Sequence, residues 1–193
     1  MSSGDPRPAG RPDVVRLAVI AATVAIVVVF TAWSGALDSD SGPTAAAGEG
    51  VVVRVIDGAT VDVDLDGTRE RVRLIGVDTP ESVAPERPVQ CYGVEASDRT
   101  RSLLPEGTVV RLERDEVGRD QYDRLLAYVY RAEDDLLVNL DLIEGGFADA
   151  VTYGDNEALY DTFVAAEASA RADGVGLWGA CGGPDVDIAP PPG

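Results

Sequence analysis

Histidine and lysine are both missing from this 193-residue chain, and its 16 basic residues are all arginine. Without histidine there is no Ser-His-Asp triad, no Cys-His pair and no His-ligated zinc. Basic residues are also outnumbered, with 34 acidic side chains giving a net charge of −18 and a pI near 4.1. Such a surface repels nucleic acid, whose non-specific affinity comes from phosphate contacts. Any nucleic-acid role must therefore rest on a few local arginines. An acidic surface without lysine is what adaptation to high salt predicts, since a dense acidic shell stays soluble where weaker charges are screened. A GC-rich coding sequence predicts the same preference for Arg over Lys. Only two cysteines occur, Cys91 and Cys181.

Hydrophobic residues at 45% and charged residues at 26% are ordinary for a globular chain. Residues 17–33, "LAVIAATVAIVVVFTAW", carry no charge. As a helix they span about 26 Å, and extension to Leu37 closes the gap to a bilayer core of about 30 Å. Arg7, Arg11 and Arg16 precede the run, and Asp38 and Asp40 follow it. The positive-inside rule then keeps residues 1–16 cytoplasmic and exports everything after residue 37. Residues 17–37 are expected to be a transmembrane or signal-anchor helix, with small-residue sites at 34–36 and 45–47 for signal cleavage. Residues 38–49 are expected to be a flexible linker, 50–181 the folded domain and 182–193 a disordered tail. With both cysteines on the exported side, an even pair predicts a disulfide, Cys91 to Cys181.

Within the domain "VVVRVI" and "TVDVDL" read as strands, the second with period-2 alternation. Asp66-Gly67 closes a hairpin onto "TRERVRLIGV". Residues 93–104 read as a helix stopped by Pro105. Strands follow at 108–114 and 124–131, then helices at 139–146, capped by Asn139, and at 156–174, capped by Asp155 or Asn156. Leu159, Phe163, Ala166 and Ala170 mark the buried face of the last. Trp178 is a packing anchor. The order predicts an α+β domain, a five-stranded Greek-key OB barrel with three helices.

The segment "VRLIGVDTPE" (72–81) gathers a guanidinium and two carboxylates around a proline. Taken singly, these residues are also those of a charged strand face (Arg69, Arg71 and Arg73 alternate) and an ordinary turn. Taken with "VIDGATV" (55–61), "YGVEAS" (92–97), "DQYDRLLAYVY" (120–130), "VNLDLIEGGFA" (138–148) and "GLWG" (176–179), they fall in the order and spacing of a known family. From about residue 50 to 180 the chain resembles the staphylococcal-nuclease-like (thermonuclease) family. The resemblance implies a calcium-dependent phosphodiesterase that cuts DNA and RNA with little sequence preference, leaving 3′-phosphates. It implies Asp57, Asp78 and the carbonyl of Thr79 as Ca²⁺ ligands and Glu81 as the residue that orients or deprotonates water. Arg73 and Arg124 match the arginines on the scissile phosphate, and Tyr122 and Tyr153 tyrosines at the substrate. This chemistry suits hard oxygen ligands and planar bidentate donors.

Three departures from the family's pattern stand out. Ala59 replaces a metal-binding aspartate, and strand alternation sets Asp62 and Asp64 on the side of Thr60, away from Asp57 and Ala59. Asp123 replaces a glycine and puts a negative charge beside Arg124. The aromatic stretch around Tyr153 differs as well. The enzyme is expected to be a monomer, anchored to the membrane with its domain outside the cell or secreted after cleavage. A catalytically impaired OB module binding nucleic acid or an envelope component is the alternative that Ala59 supports.

Overall fold

The computed structural model describes residues 46–82 and 88–188, with only the backbone of Ala46 and Ala47. The segments read as residues 1–16, the helix at 17–37 and most of the linker lie outside the described residues. Among the described residues no helix is long and apolar enough to cross a membrane.

Five strands close into a barrel. They are β1 (Ala46–Asp57), β2 (Thr60–Leu65), β3 (Thr68–Leu74), β5 (Val109–Glu113) and β6 (Leu125–Arg131), with the short β4 (Val77–Asp78), β7 (Leu136–Leu137) and β8 (Asp149–Ala150) between or after them. The sheet runs β3-β2-β1-β5-β6-β7, and a parallel β3–β6 pairing, Val72 opposite Leu125, closes it. Strand β1 starts at Ala46, inside the segment expected to be linker, because Ala46 to Val51 pair with β5. Gly50 lies where β1 passes from β5 to β2; a Cβ there would meet Leu65 Cδ2 at 2.5 Å. The Asp66-Gly67 turn joins β2 to β3, both residues with positive φ (53° and 84°), the twist that suits a two-residue hairpin.

Alternation buries Val61, Val63, Val72, Leu74, Val110 and Leu112 inside the barrel, fully shielded from solvent. Each such side chain contributes about 1.5–3 kcal/mol relative to exposure. The helices α1 (Gly93–Leu103), α2 (Val138–Glu144) and α3 (Tyr160–Asp173) cover the barrel, and a single extra turn, α4 (Leu177–Ala180), adds a fourth to the three expected. Phe163 is fully buried and meets Tyr128 edge-on, ring centroids 6.0 Å apart. Trp178 packs with Ala170 and Leu177, with Tyr92 and Cys181 at the margin.

Neither asparagine is a helix cap. Asn139 is buried inside the first turn of α2; its Oδ1 accepts the Val129 N–H (2.9 Å) and its Nδ2 donates to Ile75 O (2.8 Å). Asn156 precedes α3 by four residues and pairs both ways with the backbone of Val117. Cys91 and Cys181 form a disulfide, Cα atoms 6.0 Å apart. Residues just before and after the disulfide also pair through their backbones: Cys91 N–H donates to Val186 O (2.7 Å) and Ile188 N–H to Val89 O (3.0 Å).

Candidate active site

Strand β1 ends in a turn, Asp57 to Thr60, whose shape is set by a bulge. Val55 faces Val61, yet Asp57 faces Thr60, so one extra residue sits in β1. Thr60 in turn faces Arg73. Cross-strand partners share a face, so Asp57, Thr60 and Arg73 form one row across three strands. Straight alternation separates Asp57 from Thr60; the bulge reverses that. Asp57 Oδ1 accepts the Ala59 N–H at 2.9 Å. Gly58 lies so near Thr79 that a Cβ would come within 2.6 Å of its Oγ1, which only glycine allows. The Gly58 carbonyl accepts the Thr100 hydroxyl at 2.6 Å, so α1 holds the turn in place.

Arg73 does not lie on a solvated strand face. It is 5% exposed. One Nη donates to Ala59 O (3.4 Å) and Leu74 O (3.3 Å). The other donates to Asp78 Oδ1 (3.0 Å) and to the Tyr153 hydroxyl, and the guanidinium carbon sits 4.9 Å from the Tyr153 ring centroid. A buried guanidinium held by this many acceptors has little freedom, which is the preorganisation that charge stabilisation needs.

Beyond β4, Thr79 and Pro80 lead to Glu81. The Glu81 backbone is clamped by Gln90: its N–H donates to Gln90 Oε1 (2.8 Å), and its carbonyl accepts the Gln90 N–H (2.9 Å). Glu81 Oε1 accepts the Ser82 N–H at 2.9 Å. Across the cleft, Arg124 Nε donates to Asp120 Oδ2 at 2.6 Å. Burial alone would raise the Asp120 pKa, but the bonds from Arg124 hold it below the usual carboxylate range. The carboxylate bonded to Arg124 is thus Asp120. Asp123, at φ 62°, fills the left-handed position that suits glycine, and its carboxylate lies 3.7 Å from Arg119 Nε. Tyr122 stands 72% exposed with Arg124 against its ring, 5.5 Å from the centroid.

All eight residues singled out for metal, phosphate, water and substrate meet in one open cleft of about 280 Å³: Asp57, Arg73, Asp78, Thr79, Glu81, Tyr122, Arg124 and Tyr153. Ala59 also lines it and adds no oxygen from its side chain. Among the described residues no group of three or more acidic side chains is placed to hold an ion. The donors present are two carboxylates and a backbone carbonyl, all hard oxygens, which fit a calcium site completed by water. Asp62 does not compensate for Ala59, because its carboxylate is bonded to Arg54 and Arg71. Nor does Asp64, whose Oδ1 accepts the Gly67 N–H.

Sequence reasoning misses Asp120, Gln90 and Asp149. Asp149 faces Asp78 across the β4–β8 pair, and a lone acid in "FADAV" is its only signal. Burial pushes its carboxyl up to about 6, with the charge of Asp78 next and those of Glu167 and Asp185 adding. Its folded pKa lies above the unfolded value of about 3.9. The stability it contributes is therefore complete below about pH 4 and lost as pH rises through 6. The full displacement corresponds to at most about 3 kcal/mol, and screening at a half-buried site reduces this to roughly 1 kcal/mol. In EDTA the Asp149→Asn variant should melt about 2–4 °C higher at pH 8 and no higher at pH 4. Identical melting at pH 8 would refute the assignment.

A barrel that sets two arginines, a clamped glutamate and two aspartates around one cleft is a phosphodiester-cleaving enzyme in design. The model of the family described as staphylococcal nuclease homologue matches residues 71–180. The chain belongs to that family and is a nuclease. It is 39% identical over 160 residues to a thermonuclease of Staphylococcus hyicus, covering 83% of this chain and 93% of the relative. A thermonuclease of Staphylococcus intermedius is likewise 39% identical, over 161 residues, covering 83% and 94%. Endonuclease YncB of Bacillus subtilis is 40% identical over 131 residues, covering 67% of this chain and 61% of the relative.

Proposed function

We propose that the protein is a calcium-dependent nuclease working outside the cell, hydrolysing DNA and RNA with little sequence preference. The observation that carries this reading is the convergence of Arg73, on β3, and Arg124, just before β6, with Glu81, Asp57 and Asp78 on one cleft. Asp57, Asp78 and the Thr79 carbonyl would hold the ion, and bound calcium supplies Lewis-acid polarisation of the phosphoryl oxygens. Glu81 takes the proton of the attacking water as that water's oxygen bonds to phosphorus and the bond to the 5′-oxygen breaks, the leaving oxygen taking a proton from solvent. Arg73 and Arg124 donate to the phosphoryl oxygens as their charge grows. Arginines directed at phosphate carry no base code, which supports broad sequence tolerance. The disulfide supports an oxidising compartment. With the uncharged run at 17–33 this favours a protein anchored by an N-terminal helix, or secreted after its removal.

The test is digestion of heat-denatured DNA in millimolar Ca²⁺. EDTA should abolish cleavage, and Glu81→Gln should slow it by about 10²–10⁴-fold. Ala59→Asp adds a third carboxylate and should lower the calcium requirement by about tenfold, roughly the worth of one added charged ligand. Undiminished cleavage in EDTA would overturn the calcium assignment, and undiminished cleavage by Glu81→Gln the role of that residue.

A further inference from the structure

Beside the row Asp57–Thr60–Arg73 lies a second row on the same face: Arg54 faces Asp62, which faces Arg71. Asp62 is 2% exposed. Its Oδ2 accepts from Arg54 Nε and its Oδ1 from Arg71 Nε, both at 3.0 Å, and Arg69 Nε is 3.7 Å away. Burial alone would raise the pKa of Asp62, but its arginine partners hold it below the usual range. One carboxylate therefore meets three guanidiniums. In the other ion pairs of the described residues a carboxylate meets one arginine, as in Arg99–Asp141, Arg101–Asp98 and Arg171–Glu167. Asp64 also faces Arg69 across the β2–β3 pair, so about one positive charge is left over, in a chain of net charge −18. The three side chains are 58%, 53% and 49% exposed. Among the described residues their Nη groups make no hydrogen bond, so donors remain for a ligand.

Resting on the nuclease reading, we propose that Arg54, Arg69 and Arg71 form a phosphate-binding track for single-stranded nucleic acid, holding the part of the strand that is not being cut. Alternation along β3 sets Arg69, Arg71 and Arg73 on one face at steps of about 6.7 Å, comparable with the spacing of successive phosphates on an extended strand. The hollow that Arg69 and Arg71 line with Asp62 is shared with Tyr122 and Arg124, which also line the cleft. Asp123 faces the same hollow and is the one opposing charge there besides Asp62. Tyr122 stands at the junction as an exposed ring on which a base can stack. Neutralising one buried carboxylate needs one arginine; the surplus serves a polyanion that the rest of the surface repels.

The experiment compares a dinucleotide with a 20-nucleotide single strand as substrates of the full-length chain. The variants are Arg69→Gln and the combination Arg54→Gln, Asp62→Asn, Arg71→Gln, which leaves no buried carboxylate unpaired. The KM for the 20-mer should rise about fivefold per arginine removed, the worth of an exposed charge pair. The kcat on either substrate and the KM for the dinucleotide should stay put. The slope of log KM against log salt should flatten by about 0.7 for each arginine that no longer neutralises a phosphate. An unchanged KM for the 20-mer, or equal losses on both substrates, would overturn the track. Should the parent cut neither substrate, the nuclease reading fails, and fluorescence anisotropy of a labelled 20-mer still decides the track: weaker binding by the variants sustains it, equal binding overturns it.

Discussion

Arg73→Lys is expected to lower kcat on denatured DNA by about 10²–10³-fold while changing the melting temperature little. The lysine keeps a positive charge beside Asp78, so the buried ion pair survives in part. It loses the planar fork, and with it the simultaneous reach to Tyr153, Asp78 and the incoming phosphate. Removing one preorganised donor to a developing oxyanion characteristically has an effect of this size. Because the group is already fixed by four acceptors, the defect should appear in kcat more than in KM. A fall of less than tenfold, with the fold intact by circular dichroism, would show that Arg73 is structural and that Arg124 alone carries the phosphate.

The second large effect is on stability. The disulfide closes a loop with a sequence separation of 90, and by the chain-entropy relation its removal costs about 4–5 kcal/mol, with 2–5 kcal/mol typical for native bridges. For a domain of this size that is roughly 8–20 °C in melting temperature. The paired substitutions Cys91→Ser and Cys181→Ser, or reduction of the native protein, should produce the drop. The bridge also joins the small cluster of Ala170, Leu177 and Trp178 to the segment bearing Gln90. Gln90 clamps Glu81, so activity should fall before the barrel melts. Melting that does not respond to reductant would refute the stabilising role.

How far the chain disclosed itself follows the range of the forces involved. The Asp66-Gly67 hairpin, the alternation of β2 and the clustering of the site residues rest on local chemistry and on motif order, and the structure shows all of them. What local rules could not show was decided by distant partners. Ala46 to Gly50 have low strand propensity and become strand because β5 offers them a ladder. Asn139 has the chemistry of a helix cap, yet its side chain serves Ile75, 64 positions away. The bulge at Asp57 is invisible to period counting, although it puts Asp57 in line with Thr60 and Arg73. Asp120 and Asp149 matter through neighbours that only folding brings near.

The cystine divides the domain into two mechanical parts. Residues 91–181 form a covalent ring, and the residues before Cys91 form an open arm. The arm carries Asp57, Arg73, Asp78 and Glu81; the ring carries Tyr122, Arg124 and Tyr153. The two parts touch along the seams β1–β5 and β3–β6. Asp57, Asp78 and Glu81 thus sit on one part, with Arg124 and both tyrosines on the other. The cleft is therefore lined from both parts, and it is complete only in the folded barrel that pairs them.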